Sequence, residues 1–263
     1  MSEYATIRYA ADDGVATLTL DRPDRLNGMT NRMVRETYEA LSAAADDPSL
    51  RVLVLTGAGR GFCPGADLGH FTSDERNPAD DEPLEVAHFH VARLLHEMPA
   101  VTVAAINGAC AGAGLGWACG CDLRLATRSA NFSTAFLRVA VAGDMGLPWS
   151  LPRLVGAARA RELSFLCEKF GAEEARAWGL VARVFDDGVF RAEVADVVAR
   201  LAKASPTALR ALKAHYVAAE SESLADYLDR ETRAHMEIVR SDDTREAFRA
   251  FLEKREPVFS RPT

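Results

Sequence analysis

Apolar and polar residues follow two different periods along this chain. Ala16, Leu18 and Leu20 alternate with Thr17 and Thr19, so 15–20 reads as a half-buried strand. Asp12-Asp-Gly14 just before it predicts a hairpin from an earlier strand near 7–9. Two continuous apolar runs, Val52-Leu-Val-Leu55 and Val101-Thr-Val-Ala-Ala-Ile106, read as strands buried on both faces. Asp122-Leu-Arg-Leu-Ala126 is a further strand, and 181–185 a short one. The helical period appears first at Met33, Tyr38, Leu41 and Ala45, in a helix that Thr30 or Asn31 caps and Asp46-Asp-Pro48 ends. A helix is expected over 84–97, with Val86, Phe89, Leu94 and Leu95 apolar and Pro99 as its stop. Others are expected at 157–167 and at 172–178, the latter ended by Gly179. From Phe190 the pattern is helical throughout, over 190–204, 206–219, 223–240 and 244–255, with breaks at Ser205-Pro206, 220–222 and 241–243.

Composition narrows this picture. A chain of 263 residues can bury a full core in one domain, or in one domain with a helical appendage. A net charge of −7 argues against a general nucleic-acid binder, yet leaves room for a local basic patch. No apolar run has the length to span a bilayer, and Met1-Ser-Glu-Tyr lacks the basic and apolar parts of a signal peptide. Five cysteines, an odd number, fit a reducing cytoplasm better than a disulfide framework. Cys119 and Cys121 have no second pair at zinc spacing, so no metal is expected, and His88 and His90 do not share a helix face. Residues 72–83 are polar, acidic and twice interrupted by proline, so a surface loop is expected there.

Chemistry concentrates in two strand–loop–helix units. Strand 52–55 runs through Gly57 and Gly59 into Arg60-Gly-Phe-Cys-Pro-Gly-Ala-Asp-Leu68. Strand 101–106 runs into Asn107-Gly-Ala-Cys-Ala-Gly-Ala-Gly-Leu-Gly116. Each loop opens a helix, whose first N–H groups lack internal partners and carry the positive end of the dipole. Two such starts side by side can aim two N–H groups at one oxygen; losing one donor of an oxyanion hole costs about 3–4 kcal/mol of barrier. The glycines lack the Gly-x-Gly-x-x-Gly spacing of a dinucleotide site, and no Gly-Lys-Ser/Thr or Gly-x-Ser-x-Gly occurs.

The Gly65-Ala-Asp-Leu68 loop, the Asn107-Gly-x-x-x-Gly112 loop and the later Leu151-Pro-Arg-Leu-Val-Gly156 together resemble the crotonase superfamily, the enoyl-CoA hydratase/isomerase family, from Ile7 to Phe259. The resemblance implies an α/β fold: a crotonase-like spiral of ββα turns over 1–189 that holds an acyl-CoA site, and a helical C-terminal trimerisation region over 190–263. It implies an acyl-CoA thioester substrate, coenzyme A being part of that substrate and no separate cofactor being needed. It also implies self-association as a trimer or a dimer of trimers, with neither nucleic acid nor membrane as partner. The implied oxyanion donors are the N–H groups of Ala66 and Ala113, the latter standing where the family usually has glycine. The implied CoA contacts are Arg25, Leu26, Ala66, Asp67, Leu68, Phe251 and Lys254, the last two in a closing helix that often reaches a neighbouring subunit. His70, Gly116, Phe136 and Trp149 are expected around the acyl group.

The acids set this sequence apart. A thioester enolate needs charge stabilisation on oxygen and a base at the right carbon. The family's hydratases use two glutamates, and their positions here are Gly116 and Phe136, neither of which moves a proton. Asp144 stands eight residues before Pro152, a spacing that matches the isomerase-like branches, where the aspartate shuttles a proton at the distal end of the conjugated system. Its apolar neighbours Phe136, Met145, Leu147 and Trp149 are expected to desolvate it and raise its pKa; its alternative role is to cap a nearby helix. Three functions therefore stand open: a proton-shift isomerase using Asp144, a hydratase using His70, Asp74 or Glu75 from the acidic loop, and an acyl-CoA-binding protein without catalysis.

Overall fold

The computed structural model describes residues 4–73, 77–80 and 82–259. Ten strands form two sheets among these residues. β1 (Ile7–Asp12) and β2 (Val15–Leu20) make the expected antiparallel hairpin, turned by Asp13 and Gly14, both at positive φ. β3 (Val52–Gly57), β5 (Val101–Ile106), β7 (Leu123–Thr127) and β10 (Arg183–Phe185) continue that sheet in parallel, in the order β1-β2-β3-β5-β7-β10. Three strands of three residues each, β4 (Gly61–Cys63), β6 (Ala109–Ala111) and β8 (Asn131–Ser133), run parallel in a second sheet, closed by β9 (Phe170–Gly171). The chain thus visits the large sheet, then the small one, then a helix, and repeats. β3–β4, β5–β6 and β7–β8 are successive turns of the expected ββα spiral.

The helices are α1 (Asn31–Ala45), α2 (Leu68–Thr72), α3 (Val91–Glu97), α4 (Ala113–Gly120), α5 (Leu147–Val155), α6 (Ala157–Leu166), α7 (Ala172–Ala177), α8 (Phe190–Ala202), α9 (Pro206–Ala219), α10 (Leu224–Ile238) and α11 (Asp242–Glu253). Thr30 caps α1, its hydroxyl accepting from the Met33 N–H at 3.3 Å. The stretch 84–97 is not one helix: 86–90 is a 3-10 turn, and α3 begins at Val91. The Glu85 N–H donates to His88 Nδ1 at 2.9 Å, and the His88 ring stands edge-on to Tyr38 at 5.4 Å, so a local bond and a ring contact hold the tighter turn.

Both faces of the large sheet are covered, which explains its continuous apolar runs. Leu18, Leu20, Leu53, Leu55 and Ile106 join Met33 and Leu41 of α1 in the main core, with Phe62, Trp117 and Phe132 among its fully buried side chains. Val52, Val54, Val103 and Leu125 on the opposite face meet Phe190, Val194, Val197 and Val198 of α8. All five cysteines are free and buried. Lys213 of α9 is buried too. Its ammonium pairs with Asp122 at 2.8 Å and donates to the carbonyls of Leu95 and Ala100, pinning α9 to the end of α3 and the start of β5. In contrast, α10 buries none of its side chains and α11 only Ala250, while Leu224, Phe248, Phe251 and Leu252 are exposed. No helix among the described residues is long and apolar enough to cross a membrane.

Candidate active site

Two asparagines fix the loops that open the site. Asn27, at positive φ and fully buried, donates to the carbonyls of Ala58, Gly61 and Phe62, while its Oδ1 accepts from the Arg22 N–H. Asn107 donates to the carbonyls of Gly57, Gly59 and Gly61, and its Oδ1 accepts from the Gly57 N–H. The ends of β3 and β5 are thereby tied to the entry of β4. Neither asparagine was singled out from the sequence as a loop pin. Their signal, a lone polar residue just after a loop or strand, is too common to read without the carbonyls they meet.

Beyond β4 the chain bends at Gly65, where φ is +95°, and Ala66 pairs with Met29 as an isolated parallel bridge. That bridge uses the Met29 and Asp67 N–H groups, which donate to the carbonyls of Gly65 and Met29 at 2.8 and 2.9 Å. The Ala66 N–H takes no partner among the described residues. Beyond β6 the chain bends at Gly112, φ +51°, and Ala113 opens α4; its N–H is likewise without a partner, the first helical bond running from Gly116 to Gly112. The two bends touch. A methyl group built on Gly65 would lie 3.2 Å from the Ala111 oxygen and 3.4 Å from the Ala113 nitrogen. A Cβ here would crowd the facing loop, and the positive φ itself favours glycine.

Ala66 and Ala113 line one cavity of about 190 Å³, together with Met29, Val34, Leu84, Phe89 and Asp144. Asp144 is its only ionisable lining residue among those described. Burial pushes the Asp144 carboxyl above the ordinary carboxylate range, and its Oδ1 is buried with no hydrogen-bond partner among the described residues. The aspartate does not cap α5: the N-cap is Gly146, and no side chain bonds there.

Comparison with known proteins gives this geometry its family. The enoyl-CoA hydratase/isomerase family matches residues 10–262. The chain belongs to that family. It is 40% identical to a 1,2-epoxyphenylacetyl-CoA isomerase of Escherichia coli over 95% of this chain and 96% of that protein. It is 38% identical to a probable enoyl-CoA hydratase of Rhodobacter capsulatus over 98% of each. The crystal structure of a putative enoyl-CoA hydratase from Streptomyces coelicolor superposes with a TM-score of 0.90 at 32% identity, covering 100% of this chain and 96% of that one. The fold is the crotonase fold, and the chain is an enzyme of the enoyl-CoA hydratase/isomerase family that acts on CoA thioesters.

The other residues singled out from the sequence fall in several places. Arg25 and Leu68 are exposed and Leu26 is half-buried at positive φ; Arg25 and Leu26 lie in the turn after β2, and Leu68 opens α2. The Asp67 side chain is buried: it pairs with Arg22 at 2.9 Å and caps α2 by accepting from the His70 N–H at 3.0 Å. His70 lies on α2 against Phe71, and Phe71, not His70, lines the cavity. Phe136 is buried, and its ring lies within 3.9 Å of a methyl built on Gly112 and 3.8 Å of one built on Gly143. Trp149 does not line this cavity. It is 45% exposed in a separate one with His96, Arg153 and Glu220, because Leu147, Ser150 and Leu151 take the inward face of α5 and turn Trp149 outward. Arg153 stacks over its ring at 3.8 Å. Phe251 and Lys254 are exposed at the end of α11 and are not among the cavity's lining. Asp74 and Glu75 lie outside the described residues.

Proposed function

We propose that this chain is an enoyl-CoA isomerase that moves a carbon–carbon double bond by proton transfer through Asp144. The observation that carries the reading is the shared cavity of about 190 Å³, lined by Ala66 and Ala113, whose N–H groups take no partner among the described residues, and by the desolvated Asp144. In this reading the thioester oxygen accepts from the Ala66 and Ala113 N–H groups. Asp144 takes a proton from one end of the C2–C4 unit and negative charge gathers on the thioester oxygen. The same carboxyl then returns the proton to the other end, so no atom is gained or lost. A carboxyl that must take and give one proton works best with its pKa near working pH, and desolvation moves it that way. Adding water instead calls for two carboxylates gripping one water, and neither Gly116 nor Phe136 supplies one. The Escherichia coli relative, a 1,2-epoxyphenylacetyl-CoA isomerase by name, supports isomerisation of a CoA ester in general, not a double-bond shift in particular.

The rest of the reading follows from the substrate. The CoA portion lies over Arg25, Leu26 and Leu68 and the main chain of 66–68, with no separate cofactor. The apolar faces of α10 and α11 support self-association as a trimer or a dimer of trimers, which would bring Phe251 and Lys254 to a neighbouring CoA. The enzyme is taken to be cytoplasmic.

A paired ultraviolet assay tests the proposal, using 2-enoyl-CoA and 3-enoyl-CoA of matched chain length. Gain of the conjugated thioester band from the 3-enoyl substrate at unchanged mass is the expected result. Loss of that band from the 2-enoyl substrate, with a 3-hydroxy product by mass, would make it a hydratase. Tight acyl-CoA binding without turnover across a broad panel would make it a binding protein.

A further inference from the structure

Gly116 stands where the family's hydratases carry a glutamate, but the space beside it is not empty. A Cβ built there would lie 2.8 Å from the Met145 carbonyl oxygen, 3.0 Å from Met145 Cβ and 3.3 Å from its carbonyl carbon. Main chain of the segment that bears Asp144 therefore occupies the volume next to α4. The segment is bent to reach it. Gly143, Met145 and Gly146 have φ of +118°, +45° and +73°, and the Leu147 N–H donates back to the Asp144 carbonyl at 3.1 Å. A methionine at positive φ is strained, and such strain persists only where surrounding packing fixes it. Here the packing is visible: Met145 is 5% exposed within the main core, and its backbone seats directly on the bare helix position.

We propose that Gly116 and Met145 are positioning residues, the missing side chain on α4 being the seat that lets a strained turn descend and hold the Asp144 carboxylate in the cavity with the two N–H donors. This rests on the reading of Asp144 as the proton-transfer group. The substitution of glutamate by glycine is then not a bare loss of one acid. It removes one acid and, in the same step, makes room for the backbone that delivers another. A single side chain at 116 cannot be restored without pushing that backbone away.

The test compares Gly116→Ala with Asp144→Asn and the unaltered enzyme in the 3-enoyl-CoA assay, with active sites counted by CoA-product binding. Gly116→Ala is expected to lower kcat at least tenfold with KM within twofold. It is also expected to move the acidic limb of the kcat profile down toward the ordinary carboxylate range, because a displaced Asp144 regains water. A purely structural role would lower Tm alone; unaltered kcat per active site and an unaltered limb would overturn the proposal. Should Gly116→Ala not fold, Met145→Gly probes the contact from the turn's side, with α4 intact. There the expectation is at least a fivefold fall in kcat and the same movement of the limb, and unaltered values of both overturn the proposal. Asp144→Asn separates the two readings. If that variant keeps full turnover, the proton-transfer role of Asp144 fails; if it is inactive while both other variants behave as the unaltered enzyme, only the positioning role fails.

Discussion

On the proposed reading, Ala113→Pro removes one oxyanion donor and sets the ring's Cδ where that N–H pointed. Ala113 is the first residue of α4, where its N–H has no helical partner to lose and where proline's fixed φ suits the backbone. The residue before a proline is restricted, but here it is Gly112 at φ +51° and ψ −127°, in a region open to glycine. The helix start itself accepts a proline, but Ala113 is buried and its nitrogen packs close to Gly65, so Tm must be read beside kcat to separate a shift of the fold from loss of the donor. The reaction should not tolerate that loss. A single oxyanion donor contributes about 3–4 kcal/mol, and each 1.4 kcal/mol is roughly tenfold, so kcat should fall by a factor of about 100 to 1000. The assay is isomerisation of 3-enoyl-CoA at saturation, with Tm and CoA affinity measured on the same sample. A folded Ala113→Pro variant within fivefold of the unaltered kcat would refute the assignment of this N–H to the hole.

Asp144 makes two pH-dependent predictions of opposite sense. In the proposed reading it is the base and must be ionised, so kcat should fall on the acid side with an apparent pKa above the ordinary carboxylate range, read from the kcat profile. For stability, a raised folded pKa means the native state holds its proton longer than the unfolded chain. The carboxyl's stabilising share is then full below the ordinary carboxylate range and is lost as pH rises through the raised value. Asp144→Asn should accordingly be more stable than the unaltered protein at pH 7 in urea unfolding, with the gap closing as pH falls. Lys213→Met should cost about 2 kcal/mol in the same measurement, because it takes the buried ammonium from the half-buried Asp122 and leaves the Leu95 and Ala100 carbonyls without their donor.

The long apolar strands β3 and β5 and the periodic helices α1, α8 and α9 were legible because each carries enough residues to display a period. The three-residue strands β4, β6 and β8 were not. Each sits in a small-residue or polar loop with no room for alternation, and only pairing with the same element of the next turn makes it a strand. Ala66, Ala113 and Asp144 could be named because motif and spacing point to them, and the cavity gathers all three. Trp149 was assigned to the acyl pocket by closeness in sequence to Asp144, but two residues into α5 the helical turn carries it to the other side. Asp67 looked like a ligand contact because it is charged and lies in the motif; its partner Arg22 is forty-five positions away and invisible to spacing. The Gly116–Met145 contact is of the same kind, since a glycine in a sequence does not say what stands in the place of its side chain.

The buried cysteines give the enzyme an internal clock. Desolvation pushes the thiols of Cys63, Cys119 and Cys121 up to about 12 and that of Cys110 well above its usual value, so almost no thiolate exists in the native state at neutral pH. Cys63 lies on β4, Cys110 on β6 and Cys119 on α4, the elements that carry and flank the loops of Ala66 and Ala113. A thiol reagent can therefore modify them only when the spiral opens. Labelling of each cysteine, resolved by mass spectrometry, becomes a record of how often each turn separates from the next.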